Sequence, residues 1–167
     1  KTVNKNPRST VGTITEIYDF LRLFYSRVAD AYSFNTGEKM VKYSTDQIIQ
    51  RILEGYKGKK IIILSPLVKG RKGHYKELFV KIKRQGFIRA KVDGKIIDLI
   101  EEVKLDRYKM HDIDIVVDRL EINPDNEKRL KQSLEVAFRL GKGTLSRQEF
   151  DSGDLTFFSK SLMCPTT

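Results

Sequence analysis

The run KIIILS, Lys60 to Ser65, closed by Pro66, constrains this chain more than any other segment. Successive side chains of a strand point to opposite faces, so four adjacent aliphatic residues require cover on both sides or a central place in a sheet. The neighbouring segments supply that sheet. Val68 to Gly73 reads as a loop, after which Tyr75, Leu78, Phe79 and Ile82 share one helical face while Lys76, Lys83 and Arg84 point elsewhere, up to a stop at Gly86. Phe87 to Val92 alternates, with Ile88, Ala90 and Val92 on one face and Arg89 and Lys91 on the other. Asp93-Gly94 then turns the chain into Lys95 to Leu99. Ile100 to Met110 is charged and irregular, a loop. In Asp112 to Ile122 the apolar positions begin at Ile113, Ile115 and Val117 and shift to Leu120 and Ile122, a phase change that predicts a bulge near Asp118. Asn123-Pro124 opens a helix with Leu130, Leu134, Ala137 and Phe138 inward, closed by Gly141 and Gly143. Thr144 to Glu149 and Leu155 to Phe158 are short final strands.

Ahead of the KIIILS strand the signals are helical. Lys1 to Ser9, with its Asn6-Pro7 turn, is a polar strand or tail. Thr13 with Glu16 fits a capping box, and Ile17, Phe20, Leu21, Phe24 and Val28 form a wide apolar stripe, predicting a helix from Ile14 to Ala29. The aromatics Tyr18, Phe20, Phe24 and Phe79 fall at helical spacing among aliphatics and read as core. Asp30 to Lys39 is a loop, and Ser44 with Gln47 caps a short helix carrying Ile48, Ile49, Ile52 and Leu53 that stops at Gly55. The expected fold class is α+β: one antiparallel sheet with two helices packed on one face, split βαβ-like, plus an N-terminal helical segment.

Length and composition narrow the function. The 167 residues hold about one domain, and no run of about 18 apolar residues is present to cross a membrane. The single cysteine, Cys164, cannot form an internal disulfide, so nothing calls for an oxidising compartment; cytoplasmic location is the expectation. Charge is uneven: Lys1 to Lys91 holds 20 basic and 7 acidic residues, whereas Val92 to Thr167 holds 12 and 15. Within Lys57 to Lys91 twelve basic residues face the single acid Glu77, a surface suited to phosphates or to an acidic protein face. A solvated basic surface with no partner is the alternative.

Catalytic signals are lacking. There is no GxxxxGK[ST] loop and no GxGxxG after a strand, and the nearest lookalike, Lys69 to Gly73, lacks the Ser or Thr that would hold magnesium. His74, His111 and Cys164 follow no metal-ligand spacing. Asp112, Asp114 and Asp118 could share a strand face, but no nucleophile or oxyanion site accompanies them, so a solvated face is the expectation. His74 suits either a partner carboxylate or local helix N-terminal contacts, and His111 reads as a satisfied edge residue.

Five strings, taken in order, resemble the UvrA family of bacterial nucleotide excision repair over essentially the whole chain. They are NPRSTVGTITEIYDFLRLFYSRV (Asn6 to Val28), LSPLVKGRKGHYKELF (Leu64 to Phe79), QGFIRAKVDGK (Gln85 to Lys95), HDIDIVVDRLEI (His111 to Ile122) and RLKQSLEVAFRL (Arg129 to Leu140). The resemblance implies a module inserted into the first ATPase half of a DNA-damage-recognition protein, the module that docks the helicase-like UvrB. It implies a flanking segment over residues 1–30, the interaction domain over 31–158 and a tail over 159–167. ATP and zinc would then be cofactors of the parent protein, with none in this chain, which would not itself be an enzyme. A repair role in the response to DNA damage, the SOS response included, belongs to the same implication. Many members carry Cys-Pro-x-Cys where this chain reads Cys164-Pro165-Thr166-Thr167, and cysteines after the first helix where residues 29–44 have none, so no zinc site is expected here. Where members often have Glu after the RKG string, this chain has His74. The partner-binding residues the resemblance implies are Arg71, Lys72, Arg89, Lys91 and Asp93, to which His74 is added because it could hydrogen-bond a partner carboxylate, meeting UvrB or, in the alternative, DNA. Arginine suits either partner because its planar fork pairs bidentately with carboxylate or phosphate. An internal pair of Arg89 with Asp93 or Asp98 is the competing reading.

Overall fold

The computed structural model describes residues 15–164. Its centre is a six-stranded antiparallel sheet in the order β3-β2-β4-β1-β5-β6. The strands are β1 (Lys60–Lys72), β2 (Arg89–Val92), β3 (Lys95–Asp98), β4 (Met110–Glu121), β5 (Thr144–Glu149) and β6 (Leu155–Ser159). β1 lies between β4 and β5, and Ile61, Ile62, Ile63 and Leu64 are all buried, as the unbroken aliphatic run requires.

One sheet face is covered by helices. Helix α4 (Glu127–Leu140) packs on β1, β4 and β5, and α2 (Thr45–Gly55) packs on α4. Ile48, Ile49 and Ile52 of α2 join Leu130, Leu134 and Phe138 of α4 over Ile61, Ile63, Leu120 and Leu145. Burying each of these large side chains is worth about 1.5–3 kcal/mol. Helix α3 (Lys76–Arg84) covers the other half, with Phe79 and Ile82 against Val68, Val92, Ile113 and Ile115. The Ser44 hydroxyl accepts from the Gln47 N–H at 3.2 Å and the Gln47 Oε1 accepts from the Ser44 N–H at 2.8 Å, the reciprocal cap its spacing predicts. Three residues of 3-10 helix, Pro124–Asn126, precede α4, and the Asn123 side chain accepts from the Asn126 N–H.

The β4 bulge lies where the hydrophobic phase changes. Pairing steps from Ile63↔Asp118 to Leu64↔Val116, which leaves Val117 over. Val117 and Asp118 therefore both face the helices, and Leu120 and Ile122 rejoin the side of Ile113 and Ile115. The three β4 aspartates are separated as a result. Asp118 faces α4 and accepts from Arg129 Nη2 at 2.7 Å, Arg129 Nε at 3.0 Å and Ser133 Oγ at 2.7 Å. Burial raises its pKa, but the hydrogen bonds from Arg129 and Ser133, with the Arg119 N–H, outweigh that and hold it below the usual carboxylate range. The expected shared, solvated aspartate face is thus corrected: Asp112 and Asp114 lie on the opposite side, and Asp114 is buried.

Four further expectations change. Val68 to Gly73 is not a loop, because β1 continues through Pro66 to Lys72 while still paired with β4. Pairing with β5 ends at Leu64↔Ser146, so the N–H that Pro66 lacks belongs to an edge with no β5 partner, where proline is tolerated. Ile88 does not share the buried face of Ala90 and Val92; it precedes β2 and is 61% exposed. The N-terminal helix α1 (Ile17–Val28) buries none of its residues, so Tyr18, Phe20 and Phe24 are not core here, whereas Phe79 is. It begins at Ile17, after Glu16 in a left-handed conformation with no side-chain cap. The stripe is real but nothing among the described residues packs on it. Thr13, Lys1 to Ser9 and Pro165 to Thr167, which figure in the cap, the tail and the Cys-Pro string, lie outside the described residues.

Candidate docking face

The side of the sheet away from the helices has no second layer among the described residues. Its surface follows from the pairing: Lys91↔Asp114 and Lys91↔Ile96 between β2, β4 and β3, and Ile62↔Gln148 between β1 and β5. Ile62, Leu64 and Val116 are buried on this side, with half-buried Ile96 beside them. Their cover is polar. Lys91 Nζ donates to Gln148 Oε1 at 2.8 Å, a hydrogen bond from β2 to β5 that spans the two intervening strands. The stem of Lys91 shields aliphatic surface while its ammonium keeps a polar partner.

Carboxylates are interleaved with the cations. Arg89 Nε lies 2.8 Å from Asp98 Oδ1, the internal pair that competes with a docking role. Lys69 Nζ lies 3.3 Å from Asp114 Oδ1, off-line enough that this oxygen accepts no hydrogen bond. Burial pushes the Asp114 carboxyl up, with Lys69 and Lys91 offsetting part of the rise. Asp112 Oδ1 accepts from the Gly70 N–H at 2.7 Å.

The remaining sequence-predicted residues gather at the end of the sheet where the β2–β3 turn meets the start of β4. Asp93, in a left-handed turn conformation, accepts from His111 Nδ1 at 2.7 Å and from the Asp112 N–H at 2.9 Å. His111 Nε2 lies 2.9 Å from the Asp106 carbonyl, so this buried ring ties the hairpin turn and the 100–110 loop to β4. The Asp93 hydrogen bond, with that carbonyl, raises the His111 pKa above the ordinary imidazole value. Burial raises that of Asp93, and the His111 bond, the Asp112 N–H and the imidazole charge together bring it below its ordinary value. Arg71 pairs across from His111 in the β1–β4 register, and Arg71 and Lys72 are exposed. Their carbonyls accept from the Tyr75 hydroxyl at 3.0 and 3.1 Å. His74 stands exposed ahead of α3.

The geometry brings Arg89 and Lys91 onto the open face, and Arg71 and Lys72 with Asp93 to its end. It adds Lys69, Asp114 and Gln148, which sequence reasoning missed. A loop reading of Val68 to Gly73 hid Lys69, and no local pattern links Lys91 to Gln148, 57 residues away. The basic run is also less bare than it reads: Lys59, Lys69, Lys76 and Arg89 pair with Glu149, Asp114, Glu102 and Asp98 from the acidic half.

The Cys164 thiol lies 3.2 Å from Thr36 Oγ1 and 3.5 Å from Glu38 Oε2, so it ties the loop after α1 to the end of the described chain. Among the described residues no group of three His, Cys, Asp or Glu could hold a metal ion, and no helix is long and apolar enough to cross a membrane.

Residues 43–151 match the family model described as the UvrA interaction domain. Over 170 residues the chain is 44% identical to UvrABC system protein A of Methanothermobacter thermautotrophicus, which covers 100% of the chain and 18% of that relative. The same protein of Aquifex aeolicus is 42% identical over 99% of the chain and 18% of the relative. That of Clostridium tetani is 44% identical over 98% and 17%. The chain thus spans under a fifth of the length of the curated relatives it matches.

Proposed function

The chain belongs to the UvrA family, and from that premise we propose that it is a non-catalytic docking domain that binds UvrB through the open face of its sheet. One observation carries the reading. A sheet face with no second layer among the described residues presents Arg89 and Lys91, and its buried aliphatic cluster of Ile62, Leu64 and Val116, flanked by Ile96, is crossed by the hydrogen bond from Lys91 to Gln148. A protein partner that met Lys91 with a carboxylate and displaced Gln148 would take over the cover of that patch, keeping Ile62, Leu64 and Val116 out of water as they already are.

The interleaved carboxylates favour protein over DNA. A phosphate-binding surface gathers cations, whereas Asp98, Asp112 and Asp114 sit among the cations here and would repel a phosphate backbone. Calorimetric titration of the 167-residue chain with purified UvrB, and separately with duplex DNA at several salt concentrations, tests the reading. Saturable UvrB binding with a shallow salt dependence is expected. Duplex binding with a steep salt slope and no UvrB binding would replace it with a DNA-contacting role.

A further inference from the structure

Beyond Leu64, β1 leaves β5 behind. Its last residues keep β4 on one side, while on the other no sheet neighbour stands among the described residues. A cleft of about 510 Å³ opens along this free edge, between it and the end of α4. Its apolar walls are Pro66, Leu67, Leu140 and Phe157. Three cations, Lys69, Arg71 and Lys142, line it, and no carboxylate does. Lys69 is committed to Asp114, but Arg71 and Lys142 have no ion pair among the described residues.

Lys142 is held there at a conformational cost. It has φ 53°, a left-handed conformation that glycine or asparagine adopts more readily, in the turn joining α4 to β5. Gly141 makes that turn tight, because a Cβ there would collide with the Thr144 carbonyl. The tight turn thus places Lys142 at the cleft.

We propose that this cleft receives a short, extended, acidic segment of the partner protein. The inference rests on the docking reading above and adds a second contact to it. A strand edge with no sheet neighbour, apolar walls and two uncommitted cations are answered together by an extended polypeptide carrying Asp or Glu. A nucleic-acid strand answers only the charge. Irregularities at Pro66–Val68 and Val68–Arg71 limit backbone pairing to a few residues, so side-chain capture by Arg71 and Lys142 supplies most of the recognition.

Lys142→Asn removes the charge and suits the left-handed backbone, and Arg71→Gln removes the other. Each is expected to weaken UvrB binding at least about tenfold, with Lys57→Ala unchanged as control. If the unmodified chain binds UvrB and both variants stay within about twofold of it, the cleft proposal falls and the docking reading stands. If the unmodified chain does not bind UvrB, both fall. If the two variants lose affinity for duplex DNA and keep it for UvrB, the cleft is a phosphate site and the proposal is overturned.

Discussion

The two faces of the sheet are built from the same strands by opposite means. On the covered face, Ile61, Ile63, Leu120 and Leu145 are sealed by helices that bring Leu130, Leu134 and Phe138 down onto them, so apolar contact does the sealing. On the open face, Ile62, Leu64 and Val116 are equally buried, but beneath Lys91 and Gln148. Apolar cover is permanent because removing it exposes surface to water. Polar cover can be exchanged for a partner's groups at small net cost, since a hydrogen bond to Gln148 is traded for one to the partner. The first face holds the domain together, and the second is the one proposed for docking.

The sharpest way to break this comparison is to cut one contact on each side. Leu134→Ala, beneath α4, should cost about 2–5 kcal/mol in urea-melt stability through lost transfer energy and the cavity left behind. A loss below about 1 kcal/mol would mean that the covered face is not the structural one.

A smaller effect is expected at the sheet end, where His111 and Asp93 join hairpin to strand. The folded pKa of His111 is raised, so its stabilisation is complete below the unfolded value of about 6.5 and is lost as pH climbs through the folded value. The folded pKa of Asp93 is lowered, so its share is present above the ordinary carboxylate value and is lost as pH falls through the folded one. Stability measured across this range should decline on the alkaline side in the unmodified chain and lose that decline in His111→Asn. The same decline in the variant would remove His111 as its source.

The smallest effect belongs to the open face. Lys91→Met keeps an aliphatic stem and removes the bond to Gln148 together with part of the positive charge beside Asp114, so thermal denaturation should report a change of about 1 kcal/mol. A loss as large as that of Leu134→Ala would make Lys91 a structural residue instead of an exchangeable cover.

Local chemistry was legible in the sequence wherever one segment decides the outcome. The KIIILS strand, the Asp93-Gly94 turn, the Ser44 and Gln47 cap and the bulge beside Asp118 each depend on neighbouring residues alone. Features set by distant segments were not legible. Whether β1 stops at Pro66 depends on where β5 ends, which no residue near Pro66 encodes. Periodicity identifies the apolar stripe of α1 but not what covers it, and the same period that correctly buries Leu134 of α4 leaves Phe20 at 70% exposure. Arg89 and Lys91 were readable as facing away from Ala90 and Val92 because strand geometry alternates. Their partners Asp98 and Gln148 come from pairing, and with them the charge balance of the face.

The central claim is that the open face docks UvrB through a few positioned groups, and Arg89 tests it most directly. Its side chain is partly exposed and its partner Asp98 is exposed, so Arg89→Ala leaves no buried charge behind and the fold intact. Titrated with purified UvrB, Arg89→Ala should lose about 2 kcal/mol, roughly thirtyfold in affinity, while Lys57→Ala, exposed before β1, changes it by less than about 1 kcal/mol. Equal, small losses for the two variants, together with lowered affinity and salt slope for duplex DNA in both, would contradict the account.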